Sequence, residues 1–201
     1  MLSVGLTGGL ATGKSHVGRH LADLGCFLVK ADELGHRVLQ PGAEAYEAVV
    51  ALFGPGILNP DGSIHRRKLA GEVFDQPDRL TALNAIVHPL VRARTRTLVD
   101  EFASRHPDGI AVIEAAILIE TGSFRNYDRL IVVTCSEEEQ IVRAVDRDGI
   151  TREEALARIR RQLPLEEKIR YADYVIDTSG SRENTAAQTR AVYESLRSSR
   201  K

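Results

Sequence analysis

The chain has 201 residues, 43% hydrophobic and 27% charged, which suits a globular protein with one sizeable core. Its formal net charge of −1 gives no general electrostatic drive toward nucleic acid or membrane surfaces. The two cysteines, Cys26 and Cys135, form no CxxC pair and lie in apolar runs, so buried thiols in a reducing compartment are expected rather than a disulfide framework or metal site. No basic leader region opens the sequence, and no apolar run approaches the roughly 20 residues of a membrane helix, so a cytoplasmic location is expected.

The apolar run at 2–7 (LSVGLT) predicts a first strand, and helical periodicity follows over Lys14–Leu24. A second strand is expected at 26–30 (CFLVK), then a helix over Asp32–Leu39. From Pro41 to Arg105 the rhythm breaks. Turn residues crowd GPGILNPDGS (54–63), helices are expected over Glu44–Phe53 and Leu90–Arg105, and no strand pattern emerges. His88-Pro89 reads as a loop-to-helix junction, because proline suits a first helical turn. Strands resume at 109–115 (GIAVIEA), 129–134 (RLIVVT) and 173–177 (DYVID), with helices over Glu137–Arg147, Thr151–Gln162 and Arg182–Arg197. Short continuous apolar runs alternating with amphipathic helices predict an α/β fold around a parallel sheet. The segment at about 41–105 reads as a helical insertion on a core of about 1–40 and 106–201, and the Arg-rich stretch at about 137–168 occupies the position of a lid.

Residues Gly8 to Ser15 spell GGLATGKS, the pattern G-x-x-x-x-G-K-S between a strand and a helix. Such a loop curls so that successive amides face phosphate oxygens, while the helix behind it presents its positive end. Lys14 should reach the β- and γ-phosphates, and the Ser15 hydroxyl should ligate Mg²⁺. Asp32 follows the second strand, at the strand end where open α/β sheets bind ligands. It can orient an attacking hydroxyl, or it can simply cap the next helix. Arg143 and Arg147 lie four apart on one helix face, suited to one nucleotide or to surface pairing with Glu139 or Asp146. His88 reads more readily as a structural hydrogen-bonding residue than as a base. Glu114 and Glu120, beyond the third strand, are candidates for the water shell of Mg²⁺ or plain exposed carboxylates.

Along nearly its whole length the sequence resembles the dephospho-CoA kinase family. The likeness rests on GLTGGLATGKS (5–15), ADELGHRVLQPG (31–42), RRKLAGEVF (66–74), NAIVHPL (84–90), ILIE (117–120), the Gln140/Arg143/Arg147-Asp148 pattern, Arg158 with Gln162, and ADYVIDTSG (172–180). The resemblance implies a P-loop kinase fold, with a five-stranded parallel sheet flanked by helices, a helical acceptor-binding insertion and a lid. It implies ATP and dephospho-CoA as substrates, Mg²⁺ as cofactor, and phosphorylation of the ribose 3′-hydroxyl. By position, Gly8, Gly9, Ala11, Thr12, Gly13, Lys14, Ser15 and His16 match the nucleotide loop, with Ser15 toward the metal. Asp32 and Lys14 match the catalytic pair, and Arg143 and Arg147 match lid-side arginines. Asp32, Arg66, His88 and Gln162 match acceptor-side positions. No nucleic-acid or membrane partner is expected, and the chain should be a monomer or weak oligomer. Four positions depart from the family pattern: His16 for the usual Thr, Lys30 for a second Asp, Ala116 for a Pro and Thr178 for an Asn. A kinase of another small acceptor, such as a nucleoside monophosphate, shares the loop but not the downstream motifs.

Overall fold

The computed structural model describes residues 1–74 and 76–199. In chain order the regular elements are β1 (Leu2–Gly8), α1 (Lys14–Asp23), β2 (Phe27–Lys30), α2 (Ala31–Arg37), α3 (Tyr46–Phe53), α4 (Arg66–Val73), α5 (Pro77–Arg105), β3 (Ile110–Glu114), β4 (Arg129–Thr134), α6 (Glu137–Asp148), α7 (Arg152–Arg160), α8 (Leu165–Ile169), β5 (Tyr174–Asp177) and α9 (Arg182–Ser198). Two units emerge: residues 1–30 with 101–201, and residues 31–100.

The first unit carries the sheet. Its five strands are parallel and run β2-β3-β1-β4-β5. All five residues of β3 are buried, as are the last five of β1, which is why these strands read as unbroken apolar runs. The edge strands β2 and β5 are shorter and partly exposed. Val4, Leu6, Ile110, Val112, Ile131, Val133 and Ile176 of the sheet pack with Val17 and Leu21 of α1 and Val192 and Leu196 of α9. From β1 the chain crosses toward β2, and from β4 it crosses the other way to β5, so the order reverses between β1 and β4. Ligands of open α/β sheets bind outside the carboxyl ends of the strands at such a reversal. The Gly8–Ser15 loop leaves β1 at that point.

Two capping boxes start the arginine-bearing helices. Ser136 and Glu139 exchange bonds at the head of α6, and Thr151 and Glu154 do so at α7. Between them Gly149, at φ 63°, closes α6 in the left-handed conformation. Leu10 and Ala11 of the loop pack against Ile141, Ala144 and Ala155 of this helix pair.

The second unit is helical around its own core of Val38, Ala45, Val49, Ile57, Ile64 and Leu69, onto which Leu83, Ile86, Val87 and Leu90 of α5 pack. An isolated antiparallel bridge joins Leu58 to Ile64 across the predicted turn region. Two expectations are corrected here. Helix α5 starts at Pro77 and runs 29 residues through Pro89, so His88-Pro89 is mid-helix and not a junction. Pro77 takes the first-turn position that Pro89 was expected to fill, while Pro89 gives up one intrahelical bond inside a helix held by tertiary packing. Helix α2 starts at Ala31, so Asp32 lies inside the first turn, where its charge favours the helix dipole, and is not the N-cap.

Candidate active site

The loop after β1 is shaped by unusual backbone. Ala11 holds φ 53°, a left-handed conformation costly for any residue with a Cβ. Gly13 holds φ 83° and ψ 11° at the N-cap of α1, where no side chain caps the helix. A Cβ at Gly13 would also stand 3.2 Å from Thr178 Oγ1, so glycine is required on two counts. The result is a helix N-terminus whose field is left for an anion.

Lys14 and Ser15 converge on one carboxylate. Glu114, the last residue of β3 and 4% exposed, accepts from Lys14 Nζ at 3.1 Å and from Ser15 Oγ at 2.5 Å, both at Oε1. Its Oε2 is buried and has no hydrogen-bond partner. That oxygen lies over α1, where a Cβ at Gly18 would come within 3.1 Å of it. Glu114 stands in register with Leu6 on one side and Lys30 on the other, so the departure at Lys30 sits beside this carboxylate in the sheet.

Other loop groups are held from far along the chain. Gln162 Oε1 accepts the Leu10 N–H at 2.8 Å. Thr178 Oγ1 donates to the Thr12 carbonyl at 2.8 Å and accepts from Arg143 Nη1 at 2.9 Å. The departure at Thr178 therefore touches both the loop and Arg143. Gln140, almost fully buried, lies beside Gly9. Arg143 also bonds the Thr178 carbonyl at 2.8 Å and Glu139 at 2.9 Å. Arg147 pairs bidentately with Asp148, whose carboxyl that guanidinium holds below its ordinary range. His16 has its pKa lowered by burial and then by His20, with whose ring it makes an edge contact. Burial pushes the Cys135 thiol up to about 11, so it stays protonated near neutrality.

In the second unit Asp32 is exposed on α2, and Arg66 Nη2 meets His36 Nε2 at 2.5 Å. His36 has its pKa lowered by burial and by Arg66, opposed by Asp32 and Glu33. The three residues Asp32, His36 and Arg66 thus share one electrostatic neighbourhood. His88 on α5 is half-buried and also lowered, by burial and by Arg92. The structure therefore gathers the loop residues, Arg143 and Gln162 in the first unit, and it groups Asp32 with Arg66 in the second. Lys168 and His36 were not found from sequence. His36 lies within the matched ADELGHRVLQPG stretch but was given no role there, and a lysine in LEEK reads as a solvated helix face.

A glycine-rich anion loop between β1 and α1 of a five-stranded parallel sheet, with its lysine and serine on one carboxylate, defines a P-loop kinase fold. A dephospho-CoA kinase of Campylobacter jejuni superposes with a TM-score of 0.72 at 24% identity, covering 99% of this chain and 98% of that one. A shikimate kinase of Acinetobacter baumannii superposes at 0.52 and 20% identity, covering 100% and 95%, and shares the fold. The family model for dephospho-CoA kinase matches residues 2–184. A dephospho-CoA kinase of Carboxydothermus hydrogenoformans is 45% identical over 92% of this chain and 89% of its own length. That of Aquifex aeolicus is 41% identical over 98% of both chains. The chain belongs to the dephospho-CoA kinase family. Among the described residues, no helix is long and apolar enough to cross a membrane.

Proposed function

We propose that this chain transfers the γ-phosphoryl group of ATP to the 3′-hydroxyl of the ribose of dephospho-CoA, giving CoA and ADP, as a cytoplasmic monomer or weak oligomer. The carrying observation is the convergence of Lys14 and Ser15 on buried Glu114 in a loop of this family. Residues Gly8, Gly9, Ala11, Thr12, Gly13, Lys14, Ser15 and His16 bind the nucleotide phosphates. Lys14 exchanges Glu114 for phosphate oxygens, and the loop amides hold charge that builds on them during in-line transfer. Asp32 accepts a hydrogen bond from the 3′-hydroxyl and aims it at the γ-phosphate.

Ser15 Oγ and Glu114 Oε1 are hard oxygen donors side by side, so these residues fit Mg²⁺ directly or through its water. When bound, the cation neutralises phosphate charge. Arg66 and His88, in an acceptor-side segment of about 41–105, contact dephospho-CoA together with Gln162. Arg143 and Arg147, in a lid of about 137–168, close over ATP. Arg143 must first exchange its bonds to Thr178 and Glu139, and closure keeps water from the γ-phosphate.

ADP formation is to be followed with dephospho-CoA, AMP, shikimate and no acceptor. The expected result is ADP in step with dephospho-CoA alone, with the new phosphate at the 3′ position by phosphorus NMR. A preference for AMP would return the assignment to a nucleoside monophosphate kinase. ADP formed equally without acceptor would overturn phosphoryl transfer to a small molecule altogether.

A further inference from the structure

Lysine is rarely fully buried, because its ammonium gives up strong hydration on leaving water. Lys168 on α8 is 0% exposed and heads the fully enclosed side chains of the described residues by volume. Its three ammonium protons have three acceptors: Glu120 Oε1 at 2.7 Å, the Ala116 carbonyl at 3.1 Å and the Gly8 carbonyl at 3.5 Å. Gly8 ends β1 and opens the phosphate loop. Ala116 lies two residues past Glu114, and its carbonyl also accepts from Thr7 Oγ1 at 3.2 Å. Glu120 Oε1 takes the Leu163 N–H at 3.2 Å as well. The neighbouring Gln162 accepts the Leu10 N–H. Residues 162–168 are therefore fastened to the loop twice, at the carbonyl that enters it and at an amide inside it.

Peptide planarity turns these fastenings into a consequence for ligand binding. The Gly8 carbonyl and the Gly9 N–H point to opposite sides of one trans peptide, so an anchor on the carbonyl sets the direction of the amide. Gln162 sets the next peptide plane through Leu10 N–H, and the Gly9 carbonyl is taken by Thr12 N–H at 3.4 Å and Thr12 Oγ1 at 3.1 Å. The first two peptides of the loop thus have little rotational freedom left.

We propose that Lys168 is a positioning residue for nucleotide binding. Through the Gly8 and Ala116 carbonyls and Glu120 it holds the opening peptides of the Gly8–Ser15 loop in their anion-binding orientation. It also fastens residues 162–168 to the loop, so within the lid segment of about 137–168 the part that moves ends before Gln162. Lys168 touches no reacting atom. The inference rests on reading the loop as the ATP site and not on which acceptor is phosphorylated.

The test uses the full-length chain carrying Lys168→Met or Glu120→Gln. Glu120→Gln keeps an acceptor oxygen for Leu163 and Lys168 while removing the counter-charge. Affinity for a non-hydrolysable ATP analogue is read by calorimetry, beside both KM values, kcat and a melting curve. Lys168→Met should weaken the analogue by about tenfold and raise the ATP KM in parallel, as the loss of buried hydrogen bonds implies. Glu120→Gln should do the same by about threefold, and the acceptor KM should stay within about twofold in both. If Lys168→Met does not fold, Glu120→Gln alone decides on the same criterion. Unchanged analogue affinity, or equal losses in both KM values, overturns the proposal. A wild-type chain that binds the analogue but leaves dephospho-CoA unphosphorylated removes the acceptor reading, while the affinity comparison still decides the role of Lys168.

Discussion

The two units treat their candidate residues differently. Around the phosphate loop, polar groups are already claimed by partners remote in sequence: Lys14 and Ser15 by Glu114, Leu10 by Gln162, the Thr12 carbonyl by Thr178. In residues 31–100 the candidates stand more open. Asp32 and Arg66 are exposed, Arg66 leans on His36, and His88 is conditioned by Arg92 one turn away. Under the proposed function, the contrast matches two tasks, phosphate binding in the first unit and acceptor binding in the second. Charge stabilisation works best when donors are fixed before the reaction, whereas residues that engage a large, flexible acceptor gain their order on binding.

If that division holds, substitutions should separate by substrate. Lys14→Ala is expected to have the largest effect, lowering kcat/KM for ATP by about 10³-fold or more while the melting curve stays near wild type, since a phosphate-facing lysine acts on charge rather than packing. Steady-state kinetics with a coupled ADP assay measure it, and full turnover would sink the loop assignment. Asp32→Asn should lower kcat by about 10²–10³-fold with the ATP KM within about threefold, because it removes proton acceptance and no nucleotide contact. A near-normal kcat there would remove Asp32 from the reaction and break the comparison on its acceptor side. Thr178→Val keeps the branched shape but strips the hydroxyl that holds the Thr12 carbonyl and Arg143. An ATP KM raised about three- to tenfold, with acceptor KM unchanged, is the expected readout.

Acid should weaken the fold by a smaller margin. His36 and His88 have folded pKa values below the ordinary 6.5, each mainly through burial. A depressed folded value means that the neutral ring is favoured in the native state. Its contribution is complete above about pH 6.5 and is lost as pH falls through the lower folded value. The melting temperature should therefore hold near neutrality and decline as pH falls below about 6.5, and replacing both residues by Asn should flatten that decline. For His36 the protonated ring would also face the Arg66 guanidinium.

Much of this was legible in the sequence, for local reasons. A G-x-x-x-x-G-K-S run is a contiguous device whose residues act within eight positions, and apolar strands advertise a sheet buried on both faces. Helix α5 was misread because proline disfavours a helix interior, while packing of Leu83, Ile86, Val87 and Leu90 outweighs that local cost. Glu114 was only half legible, since the sequence offers two carboxylates, one ending β3 and one beyond it, and does not say which lies under the loop. Lys168 was not legible at all. Its role depends on the carbonyls of Gly8 and Ala116, and backbone acceptors leave no mark in a sequence.

The order of the loop's fastenings has a consequence for synthesis. The loop occupies residues 8–15, but its anchors arrive at Glu114, Gln162, Lys168 and finally Thr178. Strand β1 itself pairs only with β3 and β4, both made after the entire 31–100 unit. A ribosome adding about 5–20 residues per second leaves the loop without these supports for roughly ten seconds or more. Under the proposed function, ATP has no finished cradle throughout that interval. The loop is translated well before the residues that fasten it.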